Sequence, residues 1–109
     1  MDEKIKNVIY NLQQNNMAGY FVGNKNELID LLTTLINPGD TVGCGDSVTL
    51  ESTGVFDFLR NGNYVFYDKH RPNLTAEEKR KIYLSNFSAD TFITGTNAVT
   101  ADGKLFNID

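Results

Sequence analysis

The chain has 109 residues, 40% hydrophobic and 22% charged, with a formal net charge of −4. That size allows one modest core, and the acidic balance argues against general nucleic-acid binding, which works through basic surface. Cys44 is the single cysteine, so neither an internal disulfide nor a multi-cysteine metal or iron–sulfur site is expected within the chain.

No apolar run approaches bilayer length, and the start MDEKIKN lacks an apolar signal core. Neither a membrane nor secretion is therefore expected, and the cytoplasm is the expected address.

Residues 2–16 carry Ile5, Val8, Ile9 and Leu12 at helical spacing, which predicts a first helix. Residues 17–22 (MAGYFV) are a short apolar run that predicts a strand. A helix follows. Asn24 caps its free N–H groups and Glu27, three residues on, can reach back in a capping box. Leu28, Ile29, Leu31, Leu32, Leu35 and Ile36 give this helix its apolar face, and Asn37-Pro38-Gly39-Asp40 ends it.

Residues 41–45 (TVGCG) predict a second strand running into glycine. Residues 48–60 are helical in composition with a break at Thr53-Gly54, and Leu50, Val55, Phe58 and Leu59 are the expected core contacts. Asn61-Gly62-Asn63 stops the helix, and residues 64–67 (YVFY) predict a third strand. The polar loop DKHRPN follows. Residues 75–87 predict a helix with Thr75 and Glu78 as a capping box. Thr91 to Thr94 form a β-branched run expected to sit inside a sheet. Gly95-Thr96-Asn97 is a turn, and residues 98–108 predict a hairpin about Asp102-Gly103, with both turn residues at positive φ.

Strict alternation of helix and strand, with no repeat, linker or domain boundary, points to one α/β domain. Its sheet is expected to be largely parallel, with helices on both faces and a C-terminal β-hairpin.

Such sheets bind ligands at the carboxyl ends of their strands. Gly43-Cys44-Gly45-Asp46-Ser47 ends a strand there, with a helix start behind it and the hydroxyls of Ser47 and Thr49 nearby. A tight turn capped by Asp46 or Ser47 is the alternative. The segment is neither the dinucleotide fingerprint, since Val48 stands at the third glycine position, nor a P-loop. Cys44 reads as a small buried thiol more readily than a reactive one.

Glu51, a turn further on, is a candidate general base or nucleophile, or else a solvated helix residue. His70, with Lys69 and Arg71, would meet an anion, although a solvated loop is the commoner case. Gly95, Thr96 and Asn97 form a second candidate ligand segment, with turn hydrogen bonding as the even alternative. No metal site is expected.

Residues 43–54 (GCGDSVTLESTG), 58–68 (FLRNGNYVFYD) and 87–109 resemble the lactate-utilisation (LUD) domain family in order and spacing, over nearly the whole chain. The resemblance implies a Rossmann-like three-layer α/β/α fold. That fold is shared with CoA transferases, ribose-phosphate and glucosamine-phosphate isomerases and formyltetrahydrofolate cyclo-ligases. Relatives continue past the position of Asp109, so the chain is expected to match the N-terminal portion of the family's domain and its sheet to be incomplete at the C-terminus.

Some family members act with iron–sulfur partner proteins in oxidising lactate to pyruvate. The resemblance thus implies an accessory component that binds a small anionic metabolite or nucleotide-like ligand and itself holds no cofactor. The alternatives are a truncated, inactive fragment that forms a homo-oligomer, and an isomerase or CoA-transferase-like enzyme using Glu51.

Overall fold

A computed structural model describes residues 2–45, 48–96 and 98–106. Asp46, Ser47 and Asn97, named above as site candidates, lie outside the described residues. The elements are α1 (Glu3–Gln14), α2 (Lys25–Leu35), β1 (Thr41–Cys44), α3 (Val48–Ser52), α4 (Val55–Asn61), β2 (Val65–Phe66), α5 (Ala76–Asn86), β3 (Thr91–Ile93), β4 (Ala98–Val99) and β5 (Leu105–Phe106). They fall into two compact units. One spans Asn24–Gly95, and the other joins Met1–Gly23 to Thr96–Asp109.

The larger unit is a parallel α/β layer structure. Its three strands run in the order β2-β1-β3, all parallel. The central strand pairs Val42 with Phe66 on one side and with Thr91 on the other. The chain steps from β1 outward to β2, then back across β1 to β3. Right-handed crossovers in opposite directions place their helices on opposite faces of the sheet.

The side chains agree with that geometry. Val42 and Cys44 are buried in one cluster with Ile36, Leu50, Val55, Phe56 and Leu59. Leu28, Ile29 and Leu32 of α2 pack against the same cluster. Gly43, between them in the period of two, turns to the α5 face, where a Cβ would overlap Asn86 Oδ1.

Local chemistry explains the boundaries. Asn24 Oδ1 accepts from the Glu27 amide at 2.9 Å and starts α2. Thr75 and Glu78 form the expected capping box at α5, with bonds of 3.1 and 3.3 Å. The expected break between α3 and α4 is Gly54, at φ 80°, a conformation costly for any residue with a Cβ.

At the amino ends of β1 and β3 a reciprocal clasp joins residues 49 apart in sequence. Asp90 Oδ2 accepts from the Thr41 amide at 2.9 Å and from its hydroxyl at 3.0 Å, while the Asp90 amide donates to Thr41 Oγ1 at 2.9 Å.

The first of the four expected strands is not one: residues 17–22 pair with no strand among the described residues. The reason lies at the end of α1. Asn16 is left-handed, at φ 61°, and its amide donates to Gln13 O at 3.1 Å, while the Met17 amide donates to Leu12 O at 2.9 Å. These are the paired bonds of a Schellman cap, which folds the chain back over its own helix. Gly19 then rests against α1, where a Cβ would lie 3.2 Å from Ile9 Cα.

β3 also departs from expectation. Among the described strands it is an edge, and Phe92 is half exposed rather than enclosed in the sheet.

The smaller unit holds α1 and the antiparallel β4–β5 hairpin. Asn11 Nδ2 donates to Ala101 O at 2.8 Å and Asn15 Nδ2 to Gly103 O at 3.0 Å, tying the turn to the helix. Only Gly103 of the Asp102-Gly103 pair has positive φ, at 83°. The Gly103 amide donates to Thr100 O at 3.0 Å, and the Thr100 amide donates to Lys104 O at 2.9 Å. This is a type I turn followed by a left-handed bulge residue, not the two-residue turn expected.

Candidate functional site

The carboxyl ends of β1 and β2 open onto a polar cleft of about 490 Å³. Glu51 of α3, Arg60 of α4 and the loop residues Asp68, His70, Arg71 and Pro72 line it. Asp68 organises the group. The residue is only 5% exposed, and it follows the end of β2 by two positions.

Arg60 Nε donates to Asp68 Oδ2 at 2.6 Å and Nη2 to Oδ1 at 3.3 Å, a forked pair. The His70 amide donates to Oδ1 at 2.9 Å. Arg71 Nε donates to the Asp68 carbonyl at 3.3 Å. One buried carboxylate thus fixes the arginine on the helix and the path of the loop.

The electrostatics follow. Burial pushes the Asp68 carboxyl upward, but the Arg60 hydrogen bond, the His70 amide and the charges of Arg60 and His70 outweigh it and hold it below the usual carboxylate range. The hydrogen bond to Asp68 is the main cause that raises the Arg60 guanidinium; burial opposes it, and the charges of Asp68, Glu51 and Asp57 add to the rise.

The buried Phe56 ring supports the cationic side of the cleft. The Arg60 guanidinium lies 5.7 Å from its centroid and the His70 ring 5.1 Å. Among the described residues the hydrogen bond of Arg71 is from Nε to a neutral carbonyl, which leaves its planar fork with donors suited to a carboxylate or phosphate. Besides the paired Asp68, the cleft holds a second carboxylate, Glu51, a residue type that can carry a proton.

The structure thus gathers Glu51 with the His70–Arg71 loop. The glycines lie elsewhere. Gly43 is buried in β1 under Asn86 and Phe92, and Gly45 donates its amide to Ile93 O at 2.9 Å. A Cβ at Gly45 would sit 2.9 Å from Thr94 Oγ1. Both glycines therefore seat neighbouring side chains at the end of the sheet, and Gly45 lines a separate cleft with Cys44. Cys44 is buried, as expected of a small apolar thiol. Thr49 is exposed and its carbonyl accepts from the Thr53 hydroxyl at 2.6 Å. Gly95 closes the larger unit and Thr96 opens the second segment of the smaller one.

Arg60 and Asp68 were not singled out from sequence. Their signal was faint: a helix-end arginine and the first polar residue after a strand. β2 is two residues long, so a long side chain on the preceding helix reaches past its carboxyl end.

No group of three or more metal-ligating side chains stands together among the described residues, and no helix among them is long and apolar enough to cross a membrane. A family model, the LUD domain, matches residues 5–109. The chain belongs to the LUD domain family. This LUD domain is an α/β layer structure with an open, all-parallel sheet, consistent with a Rossmann-like fold. No curated protein and no solved structure matches it.

Proposed function

We propose that this chain is a lactate-utilisation-type LUD protein that binds a small anionic metabolite in the Arg60–His70–Arg71 cleft, as an accessory component of lactate oxidation to pyruvate. Membership of the family supports the lactate-utilisation role, with iron–sulfur oxidoreductase proteins as its partners. The observation that carries the ligand reading is the cleft itself. It stands where α/β sheets take ligands, and it combines two arginines with two carboxylates, Glu51 and the Arg60-paired Asp68. A 2-hydroxy or 2-oxo acid fits that chemistry, its carboxylate on the Arg71 fork and its oxygen substituent toward Glu51.

The test is thermal unfolding of the full chain with lactate, pyruvate, phosphate and CoA esters. A ligand at 100 times its Kd adds about 2.7 kcal/mol to stability. The expected result is a rise in Tm with the small carboxylates that Arg71→Ala removes. No rise across the panel, with the chain folded, would overturn the ligand reading.

The position of Glu51 in the same cleft favours a second reading, an isomerase or CoA-transferase-like enzyme. Turnover that Glu51→Gln abolishes while the Tm response to ligand survives would establish it; turnover unchanged by that substitution would dismiss it. A homo-oligomer is a further proposal, motivated by the exposed Leu84 and Phe87 at the end of α5. Sedimentation at high concentration decides it, and a monomer there would end it.

A further inference from the structure

The α5 face of the sheet carries a second cleft, of about 650 Å³, beside the end of β1. Its chemistry is the opposite of the first. Three aromatic rings, Tyr83, Phe87 and Phe92, make most of its wall, and the polar side chains are Lys69 and Asn86. The volume lies in the range of small-molecule sites, and so does the pattern of apolar wall with few polar groups.

The backbone prepares this shape. A Cβ at Gly43 would stand 3.2 Å from Phe92 Cδ2, and one at Gly45 would stand 3.9 Å from Phe92 Cε1. The two glycines give Phe92 a bare floor to lie on, at a position where β3 offers its ring half exposed. Phe87, the C-cap of α5, is 90% exposed, an expensive position for a phenyl ring in water.

Lys69 and Asn86 can both bring N–H donors to the cleft. Lys69 Nζ lies 5.3 Å from the Tyr83 ring centroid, held at the rim by the ring's negative face. Asn86 Oδ1 is buried against Gly43 with no hydrogen-bond partner among the described residues. A carbonyl left so is costly, and turning it inward leaves the amide nitrogen as the end of the side chain available to a bound molecule.

We infer that this cleft binds a planar aromatic anion: an aromatic or heteroaromatic ring carrying a carboxylate, sulfonate or phosphate. The ring stacks on Phe87 and Phe92, and the anionic group takes the Lys69 ammonium and the Asn86 amide. A plain acyl chain would bring no group to match either polar side chain. A small anion without a ring would use none of the three aromatics and belongs in the arginine cleft. This inference stands apart from the ligand reading of the arginine cleft, because it uses other residues on the other face of the sheet.

The test is a titration of the 15N-labelled full chain with 2-naphthoate, followed by NMR, with 2-naphthalenemethanol and acetate as controls. Naphthoate is expected to bind saturably and to shift the amides of Gly45, Phe87 and Phe92. The alcohol is expected to bind about tenfold more weakly, and acetate to leave these amides unmoved. Phe87→Ala, at a site too exposed to support the fold, is expected to weaken naphthoate about tenfold. Lys69→Met is expected to narrow the difference between naphthoate and the alcohol, and an unchanged difference would overturn the inference. The inference is overturned by no saturable shift, by shifts confined to Glu51, Arg60 and Arg71, by equal affinity for acid and alcohol in the unaltered chain, or by an unchanged affinity in Phe87→Ala.

Discussion

Replacing Arg60 by methionine should cost more stability than replacing Asp68 by asparagine, although both break the same pair. The difference comes from which charge is left behind. The Asp68 side chain is 6% exposed and that of Arg60 33%. In Arg60→Met a buried carboxylate loses the two hydrogen bonds from the guanidinium and keeps the one from the His70 amide. Breaking a buried pair in this manner costs about 3–5 kcal/mol, with a further ~0.5–1 kcal/mol for the guanidinium lost from the Phe56 ring.

In Asp68→Asn the guanidinium turns to water and to Asp57, 3.5 Å away, and the amide oxygen still serves His70. The loss is then one charged hydrogen-bonding interaction, about 1.5–3 kcal/mol. Urea unfolding of the full chain followed by circular dichroism measures both, and the double variant gives the coupling.

The pH dependence gives the sign. The folded Asp68 carboxyl lies below its unfolded value of about 3.9. Its contribution is therefore complete above that value and lost as pH falls through the folded one. The gap between the unaltered chain and Asp68→Asn should close below about pH 4. In Arg60→Met the main counter-charge is gone and burial is opposed only by the His70 amide and charge, so the deficit should begin to shrink at higher pH. Equal costs for the two single variants, or an Arg60→Met cost under about 1 kcal/mol, would refute the reasoning.

Gly103→Ala should destabilise the smaller unit by about 2 kcal/mol or more, since it adds a Cβ at positive φ and sets it 2.7 Å from the Asn11 carbonyl carbon; exchange protection of the α1 amides reads the loss, and unchanged protection contradicts the contact. Phe56→Ala should cost about 3–5 kcal/mol and also reduce the Tm rise with small carboxylates, because the ring supports both Arg60 and His70. Thr75→Ala should cost about 1 kcal/mol through the lost cap of α5, with Thr75→Ser restoring most of it; a chemical melt separates the three chains.

Local signals were the legible part of the sequence. Asn24, Gly54, Thr75 and Glu78 act through groups three or four residues away, and each did in the structure what its residue type predicts. MAGYFV failed because composition shows that a segment is apolar but not whether a partner strand exists; Asn16 and the Schellman cap decided that. Asp102-Gly103 marked a turn, but the turn type depended on the hydroxyl of Thr100, which accepts from the Lys104 amide at 3.0 Å.

The site was half legible for the same reason. Glu51 and the His70–Arg71 loop stand out by type and position. The buried carboxylate that fixes that loop becomes visible only once α4 and β2 lie side by side.

The Asp90–Thr41 clasp gives the sheet an asymmetry along its own axis. A one-residue slip of β3 against β1 would move Phe92 to the buried face and Ile93 out of it. The clasp forbids that slip from the amino end, with three hydrogen bonds that involve nothing near either cleft. Alignment is enforced at one end of the strands and chemistry is presented at the other. The loops after β1 and β2 can therefore be rewritten for a different ligand without the sheet losing its place.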